Sequence, residues 1–273
     1  MNGRHAMHAL ADRLLVTDGG LETTLIFHDG LELPHFAAFP LLDRPEGRAA
    51  LRRYYESYCA AAERSGAGCI LDTPTFRASP DWAAKVGYGT AELHRVIADG
   101  VGMLREVRAE RETADRPIVI NGAIGPRGDG YSAAETMDPD TAEEFHAPQV
   151  CVYADAGADV VMAQTMTHAG EAIGVARAAA KLGMAAIISF TVETDGRLPD
   201  GTLLRDAILA SDAATGSSPV HYLVNCAHPS HIAPALADGG TWIERLGGVR
   251  ANPSPMSHAE LNESTTLEDG DPD

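Results

Sequence analysis

Short apolar runs alternate with helical stretches along most of this sequence, and this alternation restricts the fold more than any other feature. The helical stretches 47–65, 91–111, 141–156 and 170–182 carry Ala, Leu, Arg and Glu at helical spacing. Strands that are apolar throughout and alternate with helices predict a parallel sheet covered on both faces. The seven predicted strands are 14–20, 69–76, 117–126, 160–166, 185–193, 220–226 and 246–252.

Two α/β folds fit this pattern, a doubly wound sheet and a (β/α)8 TIM-type barrel. The first strand-to-helix turn, 18–23, reads DGGLET and lacks the G-x-G-x-x-G spacing of dinucleotide-binding folds. Polar residues recur where predicted strands end, as they do at the mouth of a barrel. We therefore predict a barrel, with these residues at its mouth: Asp18, Asp72, Thr73, Thr75, Asn121, Gln164, Thr165, Glu193, Asn225 and Cys226.

An eighth strand is missing from the pattern. After Asn252 the sequence reads PSPMSHAELNESTTLEDGDPD, which is helical at first and then acidic and loop-like. An open barrel of seven strands exposes two sheet edges. We expect either that the barrel is truncated at its C-terminal end or that another segment closes it, and we predict a single barrel domain over 1–273.

Composition excludes several classes of protein. The four cysteines are far apart and form no C-x-x-C pair, which argues against a disulfide scaffold and favours a reducing, cytoplasmic setting. No apolar stretch approaches the length of a membrane span. The formal net charge of −18 disfavours nucleic acid and anionic membranes as partners.

The residues at the predicted mouth leave several chemistries open. A Schiff-base aldolase needs a lysine on a strand, and Lys85 and Lys181 both fall in helical or helix-end patterns. A phosphate site after the seventh strand has only the pair Gly247 and Gly248, which precedes the core of that strand.

Cys226 is the most informative cysteine, because it closes an apolar run at a predicted strand end. It suits a nucleophile beside His228 or His231, a zinc ligand, or a small buried hydrophobic side chain. Cys59 and Cys151 fall in helical patterns with apolar neighbours, so we expect both in the core.

A set of strand-end motifs resembles the homocysteine S-methyltransferase family over most of the chain, from Leu14 to about Glu260. The DGG turn and the Asn-Cys strand end are the most specific. In chain order the motifs are DGGLET, DTPTF, GAIGPRGDGY, QTMTHAGEA, SFTVETDGRLPDG, VNCAHP and GVRANPSPMSHAEL.

The resemblance implies a (β/α)8 barrel with a zinc ion held by three cysteines. Cys226, preceded by Asn225, matches the first ligand and would act in catalysis through the metal. The two adjacent cysteines that complete such a site have no counterpart in this sequence, and we expect them beyond Asp273.

The resemblance also implies how an amino-acid substrate binds. Asp18 matches the residue that meets the substrate ammonium, and the backbone N–H groups of Gly19, Gly20 and Leu21 match those that meet its carboxylate. Gln164 stands where the family has a glutamate, so one charged contact to the ammonium is lost.

The expected activity is zinc-dependent transfer of a methyl group to the thiol of homocysteine or a related thiol, in methionine biosynthesis. A small sulfonium is the expected donor and a betaine the second choice, since folate and cobalamin donors normally require further domains. The alternative is a zinc-free, non-catalytic or divergent family member that binds a small amino-acid-like ligand. The assembly is left open, with a homo-oligomer possible.

Overall fold

The computed structural model describes residues 13–237, 239–264, 266, 267 and 270, and within them seven strands form one sheet in the order β1-β2-β3-β4-β5-β6-β7. The neighbours β1–β2, β2–β3, β5–β6 and β6–β7 pair in parallel. The strands are β1 (Leu15–Thr17), β2 (Gly68–Asp72), β3 (Ile118–Ile124), β4 (Val160–Met166), β5 (Ala185–Phe190), β6 (His221–Asn225) and β7 (Leu246–Arg250).

All seven predicted strands are present, and several end earlier than predicted. β2 ends at Asp72 and β5 at Phe190, because the polar residues that follow leave the sheet to form loops. Every residue of β2, β3, β4 and β5 is buried, as expected for a parallel sheet covered on both faces. No further strand follows β7 in the described part of the chain, and most of the predicted acidic end, 265–273, lies outside it.

Helices separate the strands, and the four predicted helices are found with ends that differ by at most two residues. Shorter helical segments are Leu21–Thr23, a π-helix Thr24–His28, and 3-10 turns at Pro34–Phe36, Phe39–Asp43 and Thr241–Arg245. The longer helices are α1 (Pro45–Ser65), α2 (Pro80–Lys85), α3 (Thr90–Arg111), α4 (Pro139–Ala156), α5 (Ala169–Lys181), α6 (Leu204–Thr215), α7 (Pro229–Leu236) and α8 (His258–Glu263).

The packing of the chain distinguishes two units. Among the described residues, the first comprises 13–125, 148–162 and 182–185, and its core includes Leu51, Leu71 and Ile120. The second comprises 126–147, 163–181 and the residues from 186 onward, and its core includes Phe190 and Tyr222, whose rings stack. The single domain expected over 1–273 remains a prediction.

Helix α1 shows how local sequence signals place side chains for the site. Pro45 begins the helix, where its missing N–H costs nothing, and Gly66 ends it with a left-handed backbone, φ 68°. Tyr54, Tyr55 and Cys59 are all buried, and Cys59 follows Tyr54 and Tyr55 by five and four positions, about one helical turn.

Other sequence-based expectations have mixed outcomes. Lys85 and Lys181 both end helices, as predicted, so neither projects from a strand. Cys59 is buried, but the expectation that Cys151 lies in the core is wrong, because this residue falls on the outward side of α4 and is exposed. No helix in the described residues has the length and apolarity needed to cross a membrane.

A matched pair of glycine substitutions tests the packing of α5. A Cβ on Gly174 would overlap the Cβ of Ala142 and lie 2.6 Å from the backbone nitrogen of Glu143, so Gly174→Ala should destabilise the protein by about 1–3 kcal/mol. A Cβ on Gly102 of α3 meets no atom within 4 Å, and Gly102→Ala should stabilise by up to about 1 kcal/mol. Urea unfolding of both variants measures the difference. Equal stabilities would contradict the close approach of α4 and α5.

Candidate functional site

Asp18 directly follows β1 and is almost completely buried, with 2% of its surface exposed. Its Oδ2 accepts a hydrogen bond from the backbone N–H of Asp72 at 3.0 Å, and its own N–H donates to the carbonyl of Ile70 at 3.1 Å. These two hydrogen bonds therefore hold the residue that follows β1 against β2.

Asp72 extends this arrangement to β3. Its Oδ1 accepts from Asn121 Nδ2 at 2.7 Å, and its carbonyl accepts from the Tyr55 hydroxyl at 2.9 Å. The Oδ1 of Asn121 is buried and meets no hydrogen-bond partner in the described residues. Burial raises the pKa of Tyr55, and the negative charges of Asp18, Asp72 and Glu22 raise it further. The cluster is acidic and offers a buried acceptor oxygen, which suits a cationic group.

The DGG turn is held by tyrosines of α1. The backbone N–H of Gly19 donates to the Tyr54 hydroxyl at 3.0 Å, and a Cβ at this position would overlap the Tyr58 hydroxyl. A larger residue at 19 would therefore require the Tyr58 side chain to move. Gly20 precedes the helical segment Leu21–Thr23, whose first N–H groups have no partner within a helix.

The threonines that follow Asp72 connect β2 to β3. Thr73 Oγ1 accepts from the N–H of Ala123, and the Thr75 hydroxyl lies 2.7 Å from that of Tyr153. Burial raises the pKa of Tyr153 to about 12, so this phenol stays protonated at neutral pH. These contacts give both threonines a structural role.

In the second unit, Asn225 joins the ends of three strands. Its Oδ1 accepts from the backbone N–H of Thr165 at 3.0 Å and from the Ser189 hydroxyl at 2.5 Å. Its Nδ2 donates to Thr165 Oγ1 at 2.8 Å and to the sulfur of Cys226 at 3.1 Å. The side chain of Asn225 therefore fixes both the end of β4 and the thiol that follows β6.

Cys226 and Thr165 share an uncommon backbone conformation. Both have φ 57°, in the left-handed region that residues with a Cβ rarely adopt. Their side chains approach each other, with Thr165 Oγ1 at 3.9 Å from Cys226 Sγ. Strained backbone of this kind clusters at functional sites.

His258 supports this loop and was not among the predicted site residues. Its Nε2 lies 3.1 Å from the carbonyl oxygen of Cys226 and 3.2 Å from Thr191 Oγ1, and its Nδ1 lies 3.0 Å from Glu193 Oε1. Its ring stacks on Tyr131 at 4.2 Å. The capping box of Ser257 and Glu260 marks the start of α8, but no local signal predicts that His258 reaches Cys226.

Three other candidates lie as follows. Gln164 is buried in β4, next to Thr165. His228 caps α7 through Ser230, with its Nδ1 2.7 Å from the Ser230 hydroxyl, and His231 Nε2 lies 3.0 Å from the carbonyl of Pro255. The contacts of these two histidines favour structural roles over a role beside Cys226.

A metal centre requires several ligands within reach of one another. The described residues contain no group of three or more His, Cys, Asp or Glu side chains that could hold a metal ion. Cys226 is half-buried and can supply one thiolate, so the described residues alone do not fit a complete zinc site.

Comparison with solved structures identifies the fold. The homocysteine methyltransferase MmuM from Escherichia coli, in its metallated form, matches with a TM-score of 0.70 and 24% identity, over 93% of this chain and 96% of that one. Its oxidised form matches with a TM-score of 0.69 and 25% identity, over 87% and 82% of the two chains. The fold class is therefore α/β, of the (β/α)8 TIM type, as predicted.

Sequence comparison finds two relatives that are named homocysteine S-methyltransferase. A homocysteine S-methyltransferase of Escherichia coli (strain K12) is 29% identical over 228 residues, which is 76% of this chain and 69% of that protein. Homocysteine S-methyltransferase YbgG of Bacillus subtilis (strain 168) is 29% identical over 248 residues, 82% and 72% of the two chains. The family model described as homocysteine S-methyltransferase matches residues 15–268. This chain therefore belongs to the homocysteine S-methyltransferase family and is a methyltransferase.

Proposed function

We propose that this protein moves a methyl group from a small sulfonium donor to the thiol of homocysteine. Family membership supports methyl transfer to homocysteine. The observation that carries the proposal is the Asn225 network, which holds a half-buried thiol at a strained strand end and joins it to β4 and β5. Such strand ends are where (β/α)8 enzymes carry out chemistry.

The acidic strand ends of the first unit suit the amino-acid part of the acceptor. We assign the substrate ammonium to Asp18, whose cluster with Asp72 and Asn121 offers buried oxygen acceptors. The N–H groups of Gly20 and Leu21, at the start of a helical segment, suit the carboxylate. Gly19 keeps its predicted place in this turn, although its N–H already donates to Tyr54.

The methyl donor is proposed from the net charge of the protein. A sulfonium such as S-methylmethionine or S-adenosylmethionine is cationic, and the protein carries a net charge of −18. In the reaction the acceptor sulfur loses its proton and forms a bond to the methyl carbon. The bond from that carbon to the donor sulfur breaks, and the electron pair stays on the donor. Residues that align the two sulfurs remove much of the entropic barrier.

Gln164 affects which thiol acceptor we propose. A neutral amide can accept a hydrogen bond from an ammonium group, but it lacks the charge of a carboxylate, a difference on the order of 1 kcal/mol. We propose homocysteine as the acceptor and a related thiol with a weaker demand for an ammonium site as the second choice.

The proposed activity depends on zinc, and Cys226 is the one ligand that we assign to it. A bound zinc ion would supply Lewis-acid stabilisation of a thiolate. MmuM has been solved in a metallated form, which supports a metal in this family. The described residues do not complete a metal site, and this observation favours the alternative of a zinc-free relative that binds an amino-acid-like ligand.

Four further expectations remain predictions from sequence. They are a cytoplasmic location, a place in methionine biosynthesis, a homo-oligomer, and the exclusion of nucleic-acid and membrane partners.

Removal of the Cys226 thiol should abolish transfer. We expect Cys226→Ser to lower kcat/KM for methionine formation from homocysteine and S-methylmethionine at least about 100-fold, because the network would then hold a hydroxyl in place of sulfur. The matched control is Cys151→Ser, which changes an exposed thiol of α4 and should leave activity unchanged. Full activity of the Cys226 variant would disprove the role of this thiol.

The ammonium assignment predicts a selective effect on acceptor binding. Asp18→Asn keeps an acceptor oxygen for the N–H of Asp72 but removes the charge, so KM for homocysteine should rise about 10-fold or more. Asp140→Asn, at an exposed carboxylate of α4, should leave KM unchanged. Steady-state kinetics at saturating donor measure both. A lower kcat with unchanged KM in the Asp18 variant would refute the assignment.

Metal analysis separates the enzyme from the zinc-free alternative. If the zinc-dependent proposal holds, protein purified from its own cells without chelators should contain about one zinc ion per chain, and Cys226→Ala should lose it. Elemental analysis by mass spectrometry gives the stoichiometry. Wild-type protein without zinc, or zinc retained in the variant, would contradict the assignment of Cys226 as a ligand.

A further inference from the structure

Two other thiols lie together in the first unit, apart from the strand ends described above. Cys59 is on the buried face of α1, and Cys69 is the second residue of β2. Both are free and buried, and both line the same small pocket. Only ten positions separate them in the sequence, so joining them closes a short loop.

A small pocket adjoins this pair. Both thiols line it with Gly68, and so do the exposed residues Glu63 and Arg111. Arg116 also lines the pocket and forms an ion pair with Glu63 at 3.4 Å. The two thiols and the two arginines, Arg111 and Arg116, therefore line one small pocket.

The two thiols differ in acidity, and the difference supports distinct chemical roles. The hydrogen bond from Cys69 lowers the pKa of Cys59, and the positive charge of Arg111 lowers it further. The same hydrogen bond and burial raise the pKa of Cys69 far above the ordinary value for a thiol. Cys59 is thus the more acidic thiol of the pair and Cys69 the less acidic one, an arrangement typical of a nucleophile beside a resolving thiol.

We propose that Cys59 and Cys69 form an oxidation site at which a hydroperoxide produces a disulfide between α1 and β2. The Cys59 sulfur attacks the peroxide, an S–O bond forms, the O–O bond breaks, and the leaving oxygen takes a proton to depart as an alcohol or water. The sulfur of Cys69 then attacks Cys59, an S–S bond forms, the S–O bond breaks, and water leaves with the proton of Cys69. Two thiols lose two electrons in total, and one peroxide gains them.

The bond would act on the helix that holds the DGG turn. Cys59 follows Tyr54 and Tyr55 by five and four positions on the buried face of α1. Tyr54 accepts from Gly19, and Tyr55 donates to the carbonyl of Asp72 at the end of β2. The disulfide would restrain α1 against the strand that it contacts through Tyr55.

The test uses the reduced, folded protein. It is treated with hydrogen peroxide at one equivalent, remaining thiols are blocked with N-ethylmaleimide in denaturant, and trypsin digestion without reductant is followed by mass spectrometry. Cleavage after Arg53, Arg64 and Arg77 places the cysteines in separate peptides, 54–64 and 65–77. We expect these two peptides as one linked species lacking two hydrogen atoms, with loss of free thiol at both cysteines in equal amounts.

Variants give the matched controls. Cys59→Ser should leave Cys69 fully alkylated, whereas Cys151→Ser, at an exposed thiol, should retain the linked peptides. Both buried cysteines alkylated while Cys151 or Cys226 is oxidised, or a sulfinic acid at Cys59 beside a free Cys69, would overturn the proposal. The wild-type result decides alone if the Cys59 variant does not fold, and it does not depend on methyl transfer.

Discussion

The side-chain amide of Asn225 is the interaction on which the second unit's strand ends depend. An asparagine amide offers two acceptor lone pairs and two N–H donors, and Asn225 uses all four: Thr165 N and Ser189 Oγ on its oxygen, Thr165 Oγ1 and Cys226 Sγ on its nitrogen. An aspartate at position 225 would lack the two N–H donors, and a leucine would lack both the donors and the acceptor oxygen. Without this amide, the buried N–H of Thr165 would lose its partner at a cost of about 1–3 kcal/mol.

The same amide explains why two residues with side chains can hold left-handed backbone there. A positive φ at Thr165 and Cys226 costs about 1–2 kcal/mol each relative to ordinary conformations. Asn225 contacts both residues, and His258 bonds the carbonyl of Cys226 from the other side. The strain persists because the surrounding hydrogen bonds determine the loop, and its result is a thiol held in one direction. A network that fixes a side chain in this way is what precise alignment of reacting groups requires.

Sequence periodicity was sufficient to predict the strands and most long helices. A strand buried on both faces is apolar along its whole length, as in 160–166, which matches β4 residue for residue. The DGG turn and the Asn-Cys strand end were also visible locally. Contacts between distant segments were not: His258 reaches Cys226 from 32 positions away. Cys151 was misplaced because its helix mixes apolar and polar residues without a clear face, and burial there is decided by packing.

The thiol of Cys226 and the thiols of Cys59 and Cys69 lie in different environments. At the carboxyl end of β6, Cys226 is half-buried, accepts an amide N–H, and itself has a strained, left-handed backbone. At the amino end of β2, Cys69 is buried and lines a small pocket together with a second thiol and two arginines. Two neighbouring thiols favour loss of electrons to an oxidant, since the second sulfur traps the oxidised first. A single thiol without such a neighbour in the described residues lacks that route, so the disulfide proposed at β2 has no counterpart at Cys226.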